Sequence, residues 1–454
     1  MSKKAKYNLV KIVVALCVVL CVVLTAFELG VTYRILKAAE VDGTEYSDAE
    51  YNWLYTNSVY EIYNNYYSQY GQLATYFFNP SSNLSEQVYD QETGETWADY
   101  VKTYTDNTLI EMTKLYDAGK AAGYEMEETH YETIEKEWND AKEAAAESGL
   151  SVNNYVEMNY GRGVNEKVFK EMEERYFYAF SFASNFAENE EVSASDIDAY
   201  YAENKEMFDS VSYRTFFASA AVEEGGDKEA AKADAKAKAE AVLAGTEEGE
   251  FPAYRHQVKA SVNPLFADWV FDAARTAGEK AYFENDNGSY VVEFVEANDL
   301  HYNTVNVRHI LVAPEDKASD TAWQEALALA EKYEKEWKEL GGSEENFAET
   351  AAKYSADSSA ANGGLYENIF KGQMVAEFED WCFDSARKPG DSEIIKTSYG
   401  YHIMYFSGVS EEYYSYAIGN TVKNVRLNDY INELIEGVEV SELSGNKYVG
   451  RHFG

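Results

Sequence analysis

The sequence predicts an α+β chain: an N-terminal transmembrane helix, a helical module, two tandem copies of one α/β unit and a C-terminal helix. Three observations predict it. An uncharged run follows a lysine-rich start, a long proline-free stretch carries apolar and aromatic residues at helical spacing, and one fourteen-residue segment occurs twice. At 454 residues the chain exceeds what one core organises, so several domains are expected.

The first element is the run Ile12–Phe27, preceded by Lys3, Lys4, Lys6 and Lys11. Sixteen helical residues span roughly 24 Å against a hydrocarbon core of ~30 Å. A snorkelling Lys11 and the apolar stretch Leu29–Tyr33 extend it to a full span. The basic flank orients the N-terminus inside. Residues 1–35 are therefore expected to be a cytoplasmic flank and single-pass anchor in the cell membrane, with an extracytoplasmic body. A cleaved signal peptide is the rival reading, but no clear Ala-x-Ala site follows the run. Leu precedes both Cys17 and Cys21, which argues against a lipoprotein cysteine.

Composition narrows the body. Lys and Arg total 39 against 80 Asp and Glu, a net charge of −41. Nucleic acid is excluded as a partner because no basic footprint exists to displace counterions. Anionic lipid is excluded everywhere except at the extreme N-terminus. Beyond Cys17 and Cys21 only Cys382 remains, so no disulfide framework or thiolate metal site forms. The six histidines include no His-Glu-x-x-His pair; no metal and no cofactor is expected. An acidic, nearly cysteine-free body fits a bacterial envelope protein.

The helical module is expected over residues 45–205. No proline lies between Pro80 and Pro252, and Tyr51, Leu54, Tyr55, Val59, Ile62 and Tyr66 form an amphipathic stripe within Ser47–Phe78. Further helices are expected at 96–121, 127–148, 164–187 and 195–207, the last opened by Ser193-Ala-Ser-Asp196. The stripe reads either as a core face or as an aromatic cradle for apolar segments of other chains.

The pattern then changes, twice over. Val211–Ala218 alternates like a strand and precedes the helical Lys228–Leu243; Val305–Val312 precedes the helical Asp320–Leu340 in the same way. Phe266–Glu279 and Phe378–Asp391 share eight of fourteen residues, including Trp-x-Phe-Asp and Ala-Arg, and each copy closes on a strand, Ser289–Val295 or Tyr401–Phe406. This is an internal duplication, with domains expected at 206–298 and 303–408. Cys382 aligns with Val270, so that position wants a small apolar side chain rather than a nucleophile.

The second copy resembles the parvulin peptidyl-prolyl isomerases. The matching motifs are Val307-Arg308-His309-Ile310-Leu311-Val312, Phe347–Ser359 with Tyr354, Ser355 and Asp357, Asn362-Gly363-Gly364, Gly372-Gln373-Met374-Val-Ala-Glu-Phe378, and Tyr399-Gly400-Tyr401-His402-Ile403. The layout of the whole chain is similar to that of PrsA-like and SurA-like extracytoplasmic foldases. The resemblance implies antiparallel sheets flanked by helices, a chaperone-like helical module, and a C-terminal helix within residues 411–454 that packs back on that module. It places His309 and His402 on adjacent central strands with Asp357 facing them as catalytic residues. Ser355 and Tyr354 are lesser members of that network. It implies Met374 and Phe378 as grips on the proline ring, Gln373 beside them, and a third wall of Leu365 or Ile369. That wall departs from the family's usual stretch, which here reads Gly363-Gly-Leu-Tyr-Glu-Asn-Ile369.

The chemistry demands little. A prolyl bond rotates over a barrier near ~20 kcal/mol and no covalent bond breaks, so a dry pocket that favours the twisted amide suffices. Met374 and Phe378, four apart on an expected helical turn, suit the ring-gripping role. The loop Ala313–Asp320 is net acidic, which excludes phosphate-directed recognition. Thr215 and Tyr290 occupy the positions of His309 and His402 in the first copy, and the stretch from Gly245 to Phe266 is too short for the remaining motifs. That copy reads as an inactive binding or spacer domain. The expected function is a membrane-anchored isomerase and chaperone for exported, unfolded polypeptides with X-Pro bonds. A non-catalytic holdase and an anchored structural protein are the alternatives.

Overall fold

The computed structural model describes residues 30–223 and 226–450. The expected anchor at Ile12–Phe27 lies outside them. The membrane-spanning part of the predicted fold class is corrected: among the described residues no helix is long and apolar enough to cross a membrane. The long helices are amphipathic instead; Trp97–Ala122 alone carries Asp99, Lys102, Asp106, Glu111, Lys114, Asp117 and Lys120. What stands is a mixed α/β chain with a helical module and β-sheet domains. It divides into two compact units, one running to Glu191 and resuming at Lys423, the other Val192–Val422.

In the first unit α1 (Val31–Ile35) and a hairpin of β1 (Lys37–Val41) and β2 (Thr44–Ser47) precede α2 (Asp48–Tyr70). Ser47 opens α2 with a reciprocal capping box: its hydroxyl accepts from the Glu50 N–H, and its own N–H donates to the Glu50 carboxylate at 2.6 Å. Thr96 and Asp99 repeat the device at α3 (Trp97–Ala122), which stops at Gly123 in the left-handed region. Then come α4 (Glu128–Glu147), α5 (Val152–Tyr160) and α6 (Glu166–Asn189). Tyr51, Leu54, Tyr55, Val59 and Ile62 are buried with Leu109, Met112, Leu115, Trp138, Phe169 and Met172, so that part of the tyrosine stripe is core. Tyr66 is only half-buried, and beyond it Tyr67, Tyr70, Leu73, Tyr76 and Phe77 are exposed.

The C-terminal segment completes this unit. Leu427, Tyr430, Ile431 and Leu434 pack against the same core, with Tyr430 stacked on Phe186 at 4.4 Å between ring centroids. Val440–Glu442 then pairs antiparallel with β1, giving a three-stranded sheet whose middle strand is β1. The sequence pattern gave no sign of this sheet.

Asp48, fully buried at the first turn of α2, has neither carboxylate oxygen hydrogen-bonded. Burial pushes its carboxyl up to about 7, against a smaller opposing pull from Lys447. A raised carboxyl stabilises the fold only while protonated, so this contribution is complete in acid and fades as pH rises from the ordinary carboxylate range through about 7. Asp48→Asn is expected to stabilise this unit by on the order of 2 kcal/mol at pH 8 and by little at pH 4. Urea melts at the two pH values test it; an equal effect at both would contradict the burial argument.

The second unit opens with α7 (Ala194–Phe208), whose Ile197 and Phe208 pack with Leu300, Ile418 and Val422. Two four-stranded sheets follow. β3 (Ser210–Ser219), β4 (Ala253–Val258), β5 (Lys280–Asn285) and β6 (Gly288–Ala297) lie in the order β4-β3-β6-β5. β7 (Asn303–Val312), β8 (Leu365–Ile369), β9 (Ser392–Lys396) and β10 (Tyr401–Glu412) lie in the order β8-β7-β10-β9. The two orders are the same, and all pairings are antiparallel. The first copy has one long helix, α8 (Lys228–Leu243), and one turn of helix, α9 (Ala267–Val270); the second has α10 (Asp320–Glu339), α11 (Glu344–Tyr354) and α12 (Ala376–Cys382).

The shared residues do the same jobs in both copies. Phe266 and Phe378 are each 3% exposed. Arg275 lies over the Trp269 ring at 5.1 Å, and Arg387 lies over Trp381 at 4.0 Å. Asp272 and Asp384 each accept the N–H two residues on, at 2.9 Å. Gly278 donates to the Phe294 carbonyl and Gly390 to that of Phe406. Val270 and Cys382 are each 1% exposed, and burial pushes the Cys382 thiol up to about 12, leaving it inert.

Candidate functional site

Strand register assembles the site. His309 pairs with Met404 and His402 with Leu311 across β7 and β10, so the two histidines occupy diagonal positions on one face. The first copy has the same register, Thr215 with Val292 and Phe217 with Tyr290, which puts Thr215 and Tyr290 at the corresponding diagonal. On the other face of β7 and β10, Ile310, Val312, Ile403 and Tyr405 pack against α10 and α11, so the sheet is covered there and the imidazole face is the one left for a ligand.

His309 and His402 are 2% and 5% exposed, with their Nδ1 atoms 3.0 Å apart. His309 Nε2 faces the Asp357 carboxylate at 3.3 Å and the Ser359 hydroxyl at 3.2 Å. His402 Nε2 lies 2.8 Å from the hydroxyl of buried Thr397. The Asp357 carboxylate can only accept, so it assigns the proton of His309 to Nε2. A hydrogen bond between the two Nδ1 atoms joins the rings, and the Thr397 hydroxyl binds His402 Nε2. One chain of hydrogen bonds thus crosses the sheet.

The His309 hydrogen bond holds the Asp357 carboxyl far below the usual carboxylate range, with further help from Ser359 and against the effect of burial. Burial, and then His309, push His402 down to about 4. The Asp357 oxygen that faces His309 also receives the Tyr366 hydroxyl at 3.0 Å and the Ser359 N–H at 2.9 Å. Ser355 accepts the Leu311 N–H at 3.0 Å, fixing the loop that carries Asp357. Tyr354 lies apart from the histidines, donating to Glu336 on α10.

Aromatic rings close the sides. Tyr366 stacks on His309 at 5.1 Å, and Phe378 meets both imidazoles edge-on at 5.4 and 5.5 Å. Met374 is half-buried against the same cluster. It precedes α12, which begins at Ala376, so Met374 and Phe378 do not share the helical turn expected of them. Gln373 is exposed, and its side chain accepts the Phe370 N–H at 3.2 Å, closing the turn before Met374. Leu365 is half-buried at the start of β8, whereas Ile369 is fully buried among Val305, Val307 and Phe406. Tyr366, Ser359 and Thr397 belong to the network and were not expected from sequence. Tyr366 stands in the stretch that departs from the usual pattern, which was the available signal.

A buried imidazole pair on an antiparallel sheet, keyed by a carboxylate and flanked by Met374 and Phe378, defines a parvulin-type unit. Residues 295–408 match the PPIC-type PPIASE domain family and form such a domain. The foldase protein PrsA of Staphylococcus epidermidis is 38% identical over 112 residues, covering 24% of this chain and 34% of that protein. PrsA of Caldanaerobacter subterraneus subsp. tengcongensis is 31% identical over 178 residues, 38% of this chain and 48% of that protein. The chain thus spans between a third and a half of these relatives' lengths. The crystal structure of PrsA from Bacillus subtilis aligns with 78% of this chain and 93% of its own at 16% identity, with a TM-score of 0.31.

Proposed function

We propose that this chain is an extracytoplasmic peptidyl-prolyl cis/trans isomerase that also holds unfolded polypeptides, with His309, Asp357 and His402 as its catalytic groups. The observation that carries the proposal is the buried, hydrogen-bonded imidazole pair under the edge of Phe378. The paired rings need not donate a proton to the substrate, because no covalent bond breaks. They form a rigid, poorly hydrated floor, and an amide stripped of water loses part of the charge separation that keeps it planar. Met374 and Phe378 hold the proline ring, with Leu365 and Gln373 at the rim. Ile369 supports this arrangement from the core beneath.

The experiment is cis/trans exchange of a short X-Pro peptide with the full chain. A rate above the spontaneous one supports the reading, and a folded chain without it rejects the reading. Met374→Ala is expected to raise KM by about tenfold, the loss of ~1–2 kcal/mol of apolar wall, with kcat nearly unchanged. A fall in kcat at constant KM would take Met374 out of the binding role. The exposed Tyr67, Tyr70, Tyr76 and Phe77 favour a second, holding activity in the helical unit. Suppression of client aggregation that survives His402→Gln would separate it from isomerisation.

A further inference from the structure

The first copy has lost both histidines yet keeps its frame, and it touches the isomerase unit at one buried charge. Glu379, next to Phe378 on α12, is only 2% exposed. Its Oε2 accepts the N–H of Gly372. Its Oε1 makes no aligned hydrogen bond and faces Arg255 Nη2 at 2.9 Å and His256 Nε2 at 3.3 Å. Both belong to β4 of the first copy. Resting on the isomerase reading above, we propose that the first copy is a positioning device. Arg255 and His256 fix the Glu379 carboxylate, which fixes Gly372 and hence the turn that presents Met374.

Three independent features point to a built contact. The pairing of β3 with β4 slips between Val211 and Tyr213, so that Arg255 and His256 on β4 oppose the single Ser212, and such a bulge re-aims side chains. His256 sits at φ +49°, a conformation a non-glycine residue holds only under constraint, with its N–H donated to Ser212. Gly372 is at φ +91°, and a Cβ there would come within 2.7 Å of His256 Cβ, so only glycine lets the turn lie against β4.

The duplication supplies a control within the same chain. Aligning Phe266 with Phe378 puts Ala267 at the position of Glu379, and Ala267 is buried too. The fold therefore fills this site with a methyl group, and the carboxylate answers to the contact rather than to the unit. Without Arg255 and His256 its Oε1 would be a buried charge with no partner, which the unit relieves by turning the side chain out and releasing Gly372.

The test uses the full chain. Arg255→Ala/His256→Ala is expected to raise KM for an X-Pro peptide about fivefold with kcat held within about twofold, because placement of the grip changes and the imidazole floor does not. Amide hydrogen exchange at Gly372 is expected to accelerate about tenfold or more while the β7–β10 ladder stays protected. The conservative pair Arg255→Lys/His256→Gln should keep both values near wild type. Unchanged exchange at Gly372 overturns the proposal, and so does acceleration spread evenly over the β7–β10 ladder, which would make the contact merely stabilising. If the double-alanine chain does not melt cooperatively, Arg255→Gln alone carries the same test. If the unaltered chain shows no isomerase rate, the enzyme reading falls, and exchange at Gly372 still decides the latch.

Discussion

Phe378→Ala is expected to destabilise the Val192–Val422 unit by about 3–4 kcal/mol and to abolish measurable prolyl isomerisation, the larger of the two strongest effects anticipated here. The ring is 3% exposed and belongs to a cluster with Trp381, Met404 and Phe406 while meeting both imidazoles edge-on, so truncation opens a cavity beneath the site and removes one of its walls together. Phe378→Leu separates the two losses: most of the stability should return, while KM stays raised. Urea melts of both variants decide the structural half. A loss below about 1 kcal/mol for the alanine variant would show that the cluster does not depend on the ring.

Asp357→Ala comes second, with kcat/KM expected to fall by about 10²-fold and stability by about 1–2 kcal/mol from the lost cap. The side chain is one-fifth exposed, so its removal leaves no cavity, but it is the group that assigns the proton of His309 to Nε2. Without it the Ser359 hydroxyl alone faces His309 Nε2, as donor or acceptor, and the floor exists in two protonation patterns instead of one. Nitrogen chemical shifts of the two imidazoles report this directly. One fixed tautomer in the variant would remove the carboxylate from the mechanism whatever the activity does.

What could be read from the residues follows from how local the signals are. The duplication was legible because Trp-x-Phe-Asp and Ala-Arg each perform a short-range job, an Asx turn or an arginine over a tryptophan, that fixes residue type within a few positions. The diagonal of His309 and His402 was legible only through resemblance, since a pattern of alternating residues carries no register between strands that are ninety residues apart. Thr397 and Ser359 escaped because a hydroxyl in a loop is ordinary until the partner across the sheet is known. Met374 was expected on a helix because four-residue spacing suggests one, but the chain is extended at Val375 and the helix starts after it. The β1–β2 sheet escaped for a different reason. Its strands are short, and β1 finds its second neighbour at Val440–Glu442, close to the other end of the chain.

That last pairing orders events during synthesis. The unit Val192–Val422 is one uninterrupted stretch and has everything it needs once residue 422 has emerged. The helical unit cannot close at that moment: Leu427, Ile431 and Leu434, and the strand that flanks β1, are still to come. Its long helices must wait with one side of their core uncovered while more than two hundred residues are added, and closure over that distance is the slow kind of folding step. If the chain holds unfolded polypeptides as proposed, it is itself, for that interval, an incompletely folded chain with aromatic surface uncovered.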